Sequence, residues 1–339
     1  MTETNVLFIW DVSNELKEYL QRGISHLDNV NLIFLDAPTE EDLQQHAAKA
    51  HILVGWRPSR ELLDAASQFQ LFINPGVGVQ HHLETFKEIT KSRNVTLING
   101  HGNTYFTAQH AVALLLALTN KIIPHHHWMV EGQWRKGDSD AKSIPVRDRK
   151  IGLLGYGAVN KKVHRFLSGF DVEFHVCRRS WRNDSEALPT PVKKYTPSEI
   201  HEFMKEIDIL IVGVPQTSET IGLVGAKELK LLGNQGLVVT VARGLVVEEK
   251  AFYDALFSKQ IAGAAIDVWY NYRPEEDSKG RKYPFSYPFH ELDNVVLSPH
   301  RGASPMDDLK RWDEVIENIT RFATGQQEFI NVVDLERGY

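Results

Sequence analysis

Short apolar runs alternate with polar segments of helical period along the chain. In the first hundred residues the runs are VLFIW (6–10), VNLIF (30–34), HILVG (51–55), LFIN (71–74) and VTLIN (95–99). Segments such as SNELKEYLQRG and SRELLDAASQF separate them and have helical spacing. Strands that alternate with helices predict a parallel sheet, because a crossover must return the chain before each new strand. AVALLLAL (111–118) follows, bounded by Gln109-His110 and Thr119-Asn120-Lys121. It is too short to span a bilayer and predicts a helix buried on most sides, a candidate subunit contact.

The alternation then restarts. KIGLLG (150–155), VEFHVC (172–177), DILIVGV (208–214), GLVVTVA (236–242), AGAAID (262–267) and NVVLS (294–298) predict six buried strands, most simply in the order 3-2-1-4-5-6. Helices are expected at VNKKVHRFLSG, TPSEIHEFMKE, AKELKLLG and EEKAFYDALFS, with Thr196 or Ser198 capping the second. Trp269 to His290 breaks the rhythm: it holds Pro274, Pro284 and Pro288 among tyrosines and phenylalanines. Its aromatics argue against disorder, and its length suggests a functional loop. MDDLKRWDEVIENITRFATG predicts a last helix. The expected fold class is α/β, with two doubly wound parallel-sheet domains.

Composition narrows the chemistry. The 339 residues suggest two domains, and 42% hydrophobic with 24% charged residues allows a sizeable core. A net charge of −6 gives no nucleic-acid footprint. Cys177 stands alone, which excludes an intramolecular disulfide and fits a reducing compartment, so the expectation is cytoplasmic. MTETNVLFIWDVSNE lacks a basic segment ahead of a long apolar stretch, so no signal peptide is read and no membrane association is expected. The consecutive His125, His126 and His127 point in different directions on a helix end, and no metal site is expected.

Gly155-Tyr156-Gly157-Ala158-Val159-Asn160 joins the first strand of the second half to a helix. In that context the pattern is a phosphate loop. Gly155 permits the tight turn, Gly157 lets the backbone approach a pyrophosphate, and N–H groups at the helix start face the phosphates. Asn160 holds the third glycine position, where a side chain is expected to strain the helix–strand packing. About 20 residues on, an NAD-binding fold carries an acid for the ribose 2′-hydroxyl. Here VCRRS places Arg178, Arg179 and Ser180 instead. Guanidinium groups grip a 2′-phosphate with charge-assisted bonds, so the expected cofactor is NADP(H), with NAD(H) as the second choice. Trp181 either flanks the adenine or is an ordinary surface aromatic.

Three of the expected strands end on reactive residues. VTVARG supplies Arg243, AAIDVW supplies Asp267 and VVLSPHRGA supplies His300. Ligands bind outside the carboxyl ends of such strands, so a cation, an acid and an imidazole converge on one crevice.

These segments resemble the D-isomer-specific 2-hydroxyacid dehydrogenases. The likeness runs through FINPGVGVQHH (72–82), GNTYFTAQHAVALLLAL (102–118), GYGAVN, VPQTSET (214–220), VVTVARGLVVEEKAFYDAL (238–256), IAGAAIDVW (261–269) and NVVLSPHRGAS (294–304). It implies that Arg243 binds the substrate carboxylate and carbonyl oxygen, that His300 is the acid/base, and that Asp267 orients the nicotinamide. The N–H groups of Gly76, Val77 and Gly78 would cradle the carboxylate. Val214, Pro215, Thr220, Val241 and Ala242 would line the cofactor. A flavodoxin-like substrate domain would span 1–102 and be completed by 305–339. A Rossmann cofactor domain would span 103–304, with the cleft between the two. A helix at 104–122 would support a homodimer. The implied activity is NADPH-dependent reduction of a small anionic 2-oxo acid to a D-2-hydroxy acid.

Two positions depart from the family. Tyr272 stands where a glutamate usually partners the histidine, and only a swing of Glu275 or Glu276 would restore a carboxylate. Gln109 replaces glutamate in AQH (108–110). Arg57, in VGWRPS, either meets a second anionic group on the substrate or is a surface arginine. His81 and His82 either line the cleft or flank it. Two alternatives stay open: a catalytically weak NADP(H)-binding scaffold, and hydride transfer from another small anion such as formate or phosphite.

Overall fold

The computed structural model describes residues 3–139, 141–181, 187–303 and 308–339. The chain divides into two compact units, Met1–Asn103 with Pro305–Tyr339, and Thr104–Ser304.

In the first unit, β1 (Thr4–Phe8), β2 (Val30–Ile33), β3 (Ile52–Val54), β4 (Leu71–Asn74) and β5 (Thr96–Asn99) alternate with α1 (Asn14–Gly23), α2 (Glu40–Ala47), α3 (Arg60–Ala65) and α4 (Leu83–Ile89). The strands form a parallel sheet in the order β2-β1-β3-β4-β5, the flavodoxin-like arrangement. Ser13, Thr39 and Ser59 start the first three helices, each accepting a backbone N–H on its hydroxyl. Successive strand residues face opposite sides. Leu7, Leu53, Phe72 and Leu97 pack against Leu62 and Phe86, while Val6, Phe8, Ile52 and Ile73 face the other way. Both faces are covered, which is why Val6–Phe8, Ile52–Val54 and Leu71–Ile73 are unbroken apolar runs rather than alternating ones.

The second unit opens with α5 (Thr104–Thr119) and α6 (Ile122–Val130). The helix expected over 104–122 stops at Thr119, because Lys121 takes a left-handed backbone (φ 54°) and the axis turns by 65°. No single helix among the described residues is long and apolar enough to cross a membrane. Then come β6 (Lys150–Leu154), α7 (Ala158–Leu167), β7 (Glu173–Cys177), β8 (Val192–Tyr195), α8 (Ile200–Glu206), β9 (Ile209–Val212), α9 (Ala226–Leu232), β10 (Leu237–Thr240), α10 (Glu249–Phe257), β11 (Gly263–Ile266) and β12 (Val295–Leu297). Thr196 caps the turn before α8, its N–H donating to the Glu199 carboxylate at 2.8 Å.

The parallel sheet of this unit reads β12-β11-β10-β9-β6-β7-β8. This corrects the six-strand order. DILIVGV lies directly beside KIGLLG, and the outer place beyond VEFHVC belongs to β8. VKKY escaped the hydrophobic pattern because it is an edge strand with both lysines exposed. On one face of the sheet, Ile151, Leu153, Ile211 and Val239 pack with Ala111, Leu115 and Leu118 of α5. On the other, Leu210, Val238 and Ile266 pack with Phe203 and Phe252. The chain then returns to the first unit with α11 (Asp313–Ala323), whose Val315 and Ile319 cover the Val6 face of that sheet.

The aromatic segment after β11 is folded onto its own unit. Trp269 packs on Phe285 and Phe289, and Tyr287 stacks on Tyr253 of α10 at 5.5 Å.

Candidate active site

Gly155 follows β6 with φ 83°, where a Cβ would come within 2.8 Å of Val214 and 2.9 Å of the Gly213 carbonyl. Only glycine fits that turn. Gly157 caps α7 in an extended conformation, and a Cβ there would meet nothing within 4 Å, so the backbone borders open space. Among the described residues no backbone or side-chain acceptor takes the N–H groups of Gly157, Ala158, Val159 or Asn160; the first backbone bond of the turn runs from Lys161 to the Gly157 carbonyl. Such a row of donors at a helix start fits a pyrophosphate.

Asn160 is fully buried and is not the strained position expected. Gly213 on the neighbouring strand leaves room for it: a Cβ on Gly213 would sit 2.4 Å from the Asn160 amide nitrogen. That nitrogen donates to the Gly155 carbonyl at 2.7 Å and so ties the turn to the helix. Tyr156, also buried, is hydrogen-bonded to His164 (2.7 Å), which reaches Thr190 (2.8 Å). Thr220 closes the loop after β9 by donating to the Pro215 carbonyl at 2.6 Å.

At the end of β7 the Arg178 guanidinium lies 5.0 Å from the centre of the Trp181 ring. Lys194 of β8 lies 4.7 Å from the same ring, and the indole N–H donates to the Tyr195 carbonyl at 2.9 Å. Trp181 is thus a fixed plate that gathers two cations. The place of Lys194 beside Trp181 was not legible in the sequence, since its strand was not. Arg179 is exposed and donates to both carboxylate oxygens of Glu219 at 2.8 and 2.9 Å. Ser180 is exposed beside it.

Arg243, Asp267 and His300 follow β10, β11 and β12, which are neighbours in register. Val241 is buried below Arg243, and the guanidinium folds back to donate to the Ala242 carbonyl at 2.6 Å. Burial lowers the Arg243 pKa from its ordinary value. Among the described residues no carboxylate forms an ion pair with it, so its charge is available to an anion.

Asp267 is 1% exposed. Its Oδ1 accepts from Ser298 Oγ at 2.5 Å and from the Arg301 N–H at 2.7 Å; its Oδ2 accepts from the Gly302 N–H at 3.0 Å. His110 Nε2, from α5, stands 3.3 Å from Oδ1 and 2.9 Å from Ser298 Oγ. Burial alone would raise the Asp267 pKa, but the bonds from His110, Ser298, Arg301 and Gly302 outweigh it and hold the group ionised. His110 and Ser298 lie inside the AQH and LSPH segments, yet spacing alone gives no sign that they meet.

His300 has a left-handed backbone, φ 56°. Burial lowers its pKa below the ordinary 6.5; Asp267 raises it and Arg243 lowers it further. Tyr272 sits against the imidazole, ring centres 5.3 Å apart, and its oxygen accepts from the Trp269 N–H at 3.3 Å. Neither nearby glutamate takes that place. Glu276 pairs with Lys282 at 2.9 Å, and Glu275 is exposed.

In the first unit, Asn74 is fully buried and donates to the Gly76 and Gly78 carbonyls, while Asn99 donates to the Val77 carbonyl at 2.9 Å. With three successive carbonyls turned inward, the N–H groups of Gly76, Val77 and Gly78 have no acceptor among the described residues. His82 supports Asn74 at 3.4 Å, and burial and His81 push its pKa down to about 4. His81 bonds the Trp56 carbonyl at 2.8 Å, and Arg57 next to it is exposed. Among the described residues no group of three His, Cys, Asp or Glu side chains is arranged to hold a metal ion.

Residues 112–302 match the model of the D-isomer specific 2-hydroxyacid dehydrogenase, NAD binding domain. A D-3-phosphoglycerate dehydrogenase of Archaeoglobus fulgidus is 30% identical over 281 residues, 78% of this chain but 47% of that protein, so the chain spans about half the length of this relative. A glyoxylate reductase of Pyrococcus furiosus is 30% identical over 277 residues, 80% of this chain and 77% of that one. The fold is that of a D-isomer specific 2-hydroxyacid dehydrogenase of Xanthobacter autotrophicus solved with NADPH and MES: TM-score 0.78, 22% identity, 100% of both chains covered. The chain therefore belongs to the D-isomer-specific 2-hydroxyacid dehydrogenases, a family of NAD(P)-dependent oxidoreductases.

Proposed function

We propose that the protein reduces a small 2-oxo acid to the D-2-hydroxy acid with NADPH. The observation that carries this reading is the convergence of Arg243, Asp267 and His300 at three adjacent strand ends, in the same unit as a glycine loop whose N–H groups from Gly157 to Asn160 have no acceptor among the described residues. In this reading residues 1–102 and 305–339 are the substrate domain, and 103–304 the cofactor domain. When bound, the nicotinamide supplies the hydride. Arg243 binds the carboxylate and stabilises charge growing on the carbonyl oxygen. His300 gives that oxygen its proton. Asp267 holds the turn that carries His300. Gly76, Val77 and Gly78 donate to the carboxylate, and Arg57 takes a second anionic group where the substrate has one. Gly155 to Asn160 bind the pyrophosphate. Val214, Pro215, Thr220, Val241 and Ala242 border the dinucleotide. Arg178, Arg179, Ser180 and Lys194 hold the 2′-phosphate, and NAD(H) binds more weakly.

The test is NADPH and NADH oxidation with glyoxylate, hydroxypyruvate, pyruvate and bulkier 2-oxo acids. Turnover with NADPH on at least one of them supports the reading. Tight NADPH binding with no turnover on any of them establishes the scaffold instead, an alternative that the phenol in place of a carboxylate at His300 favours.

Tyr272 also sets a pH expectation. Reduction needs protonated His300, so activity is present below the His300 pKa and is lost as pH rises through it. With that pKa depressed, the falling limb lies below 6.5. Tyr272→Glu places a carboxylate against the ring and is expected to move the limb up by about one to three units. kcat/KM against pH at saturating NADPH measures it; an unmoved limb means that residue 272 does not bear on the imidazole.

The homodimer that the resemblance implied through a helix at 104–122 is proposed instead through α6, which follows the break in that segment. No residue of that helix is buried, and Met129 and Val130 are 57% and 73% exposed. Such an apolar face is stable when covered. Met129→Glu with Val130→Glu is expected to halve the mass seen by light scattering; an unchanged mass places the interface elsewhere.

A further inference from the structure

Among the described residues, the turn that carries His300 is held by one carboxylate. A residue with a β-carbon is strained at φ 56° unless its surroundings over-determine that backbone. Here the two N–H groups immediately after His300, those of Arg301 and Gly302, both donate to Asp267. Ser298, two residues before, donates to the same group. Gly302 completes the fit, since a Cβ there would lie 2.9 Å from Asp267 Oδ2 and 3.4 Å from His110 Cδ2. The Ser298 carbonyl is fixed from the other side by the Trp269 indole N–H at 2.8 Å. Each of these bonds comes from the turn or from the segment after β11. His110 is the exception. It arrives from α5, on the face of the sheet that α5 covers, and presents one ring nitrogen to both Ser298 Oγ (2.9 Å) and Asp267 Oδ1 (3.3 Å).

We propose that His110 is a positioning residue for the proton-donating turn: its Nε2–H locks the Ser298 hydroxyl and the Asp267 carboxylate in the arrangement that aims His300. The chemistry of the bonds sets the direction. Ser298 Oγ spends its only hydrogen on Asp267, so the bond at 2.9 Å has to be donated by His110, which requires the Nε2–H tautomer or the imidazolium. With that donor gone, the Ser298 oxygen and Oδ1 of the carboxylate each lose a hydrogen bond. The turn then relaxes from its left-handed geometry. Arg243 and the phosphate loop are not part of this network, so binding should survive while the chemical step suffers.

The proposal rests on His300 being the proton donor, and the test separates the two. The full-length variants His110→Ala, His110→Gln and His300→Asn are assayed at saturating NADPH with the 2-oxo acid turned over fastest by the wild type. Should His110→Ala fail to fold, His110→Met fills the same space without a donor. His110→Ala or His110→Met is expected to lose about 10- to 100-fold in kcat, the scale of a misplaced catalytic group, with KM within about threefold. His110→Gln, which offers an N–H at a similar reach, is expected to recover most of the loss. A kcat within twofold of wild type in the donor-less variant, or a loss that glutamine does not restore, overturns the proposal. If His300→Asn is inactive while the donor-less variant is wild-type, only the role of His110 falls. If His300→Asn keeps full activity, the proton-donor reading and this proposal fall together.

Discussion

His300→Asn is expected to lower kcat for 2-oxo acid reduction by roughly 10³-fold, within the span attributed to a lost general acid. The dissociation constant for NADPH should change by less than about threefold, because the phosphate loop and the cations at the end of β7 are untouched. Asparagine is the appropriate replacement. It tolerates the left-handed backbone that His300 adopts at φ 56°, whereas alanine would add backbone strain to the loss of the proton. An asparagine amide still fills part of the pocket but cannot deliver a proton at useful pH. The measurement is a steady-state assay beside a fluorescence titration of NADPH. Equal losses in kcat and binding would mean that the substitution disturbed the site rather than its chemistry.

Arg178→Ala with Arg179→Ala is expected to weaken NADPH binding by roughly 100-fold and leave NADH binding nearly unchanged. A hydrogen bond to a charged group contributes about 1.5–3 kcal/mol, and every 1.4 kcal/mol is tenfold. Two arginines would exceed 100-fold if each gave its full value. Both are discounted. Arg179 is half exposed and must leave Glu219, and Arg178 already interacts with Trp181. Lys194 remains in the double variant and keeps part of the attraction to the 2′-phosphate. Isothermal titration with both dinucleotides decides the matter. A parallel loss for NADPH and NADH would place the arginines in a general structural role; no loss for either would remove them from the site.

The fold was readable because its strands are buried on both faces. Ile209 to Val212 and Leu237 to Val239 are buried throughout, so they stand out as unbroken apolar runs. β8 did not stand out for the opposite reason: Lys193 and Lys194 face solvent at the sheet edge, and only Tyr195 is buried. Missing it displaced the strand order, but the adjacency of the strands before Arg243, Asp267 and His300 was unaffected.

The candidate site divides along the same line. Residues that follow strands could be placed from the sequence, since position along a strand fixes which end of the sheet a loop occupies. Residues that arrive across the fold could not. His110 lies 157 positions from Asp267 in the chain, and no periodicity announces their contact. Asn160 looked like a misfit because the glycine that accommodates it, Gly213, belongs to another strand. Tyr272 is intermediate: register with the family put it opposite His300, and the geometry of its segment required the packing of Trp269, Phe285 and Phe289.

The most direct test of the account is isotopic. NADPH deuterated at nicotinamide C4, prepared separately as each C4 epimer, is consumed with hydroxypyruvate or with whichever 2-oxo acid other than glyoxylate, whose product has no D or L form, is turned over fastest. The product is then separated by configuration and weighed by mass spectrometry. One deuterium is expected on C2 of the D-2-hydroxy acid from one epimer and none from the other. Deuterated product of the L configuration would contradict the D assignment, and product with hydrogen at C2 from both epimers would contradict direct hydride transfer at Arg243, Asp267 and His300.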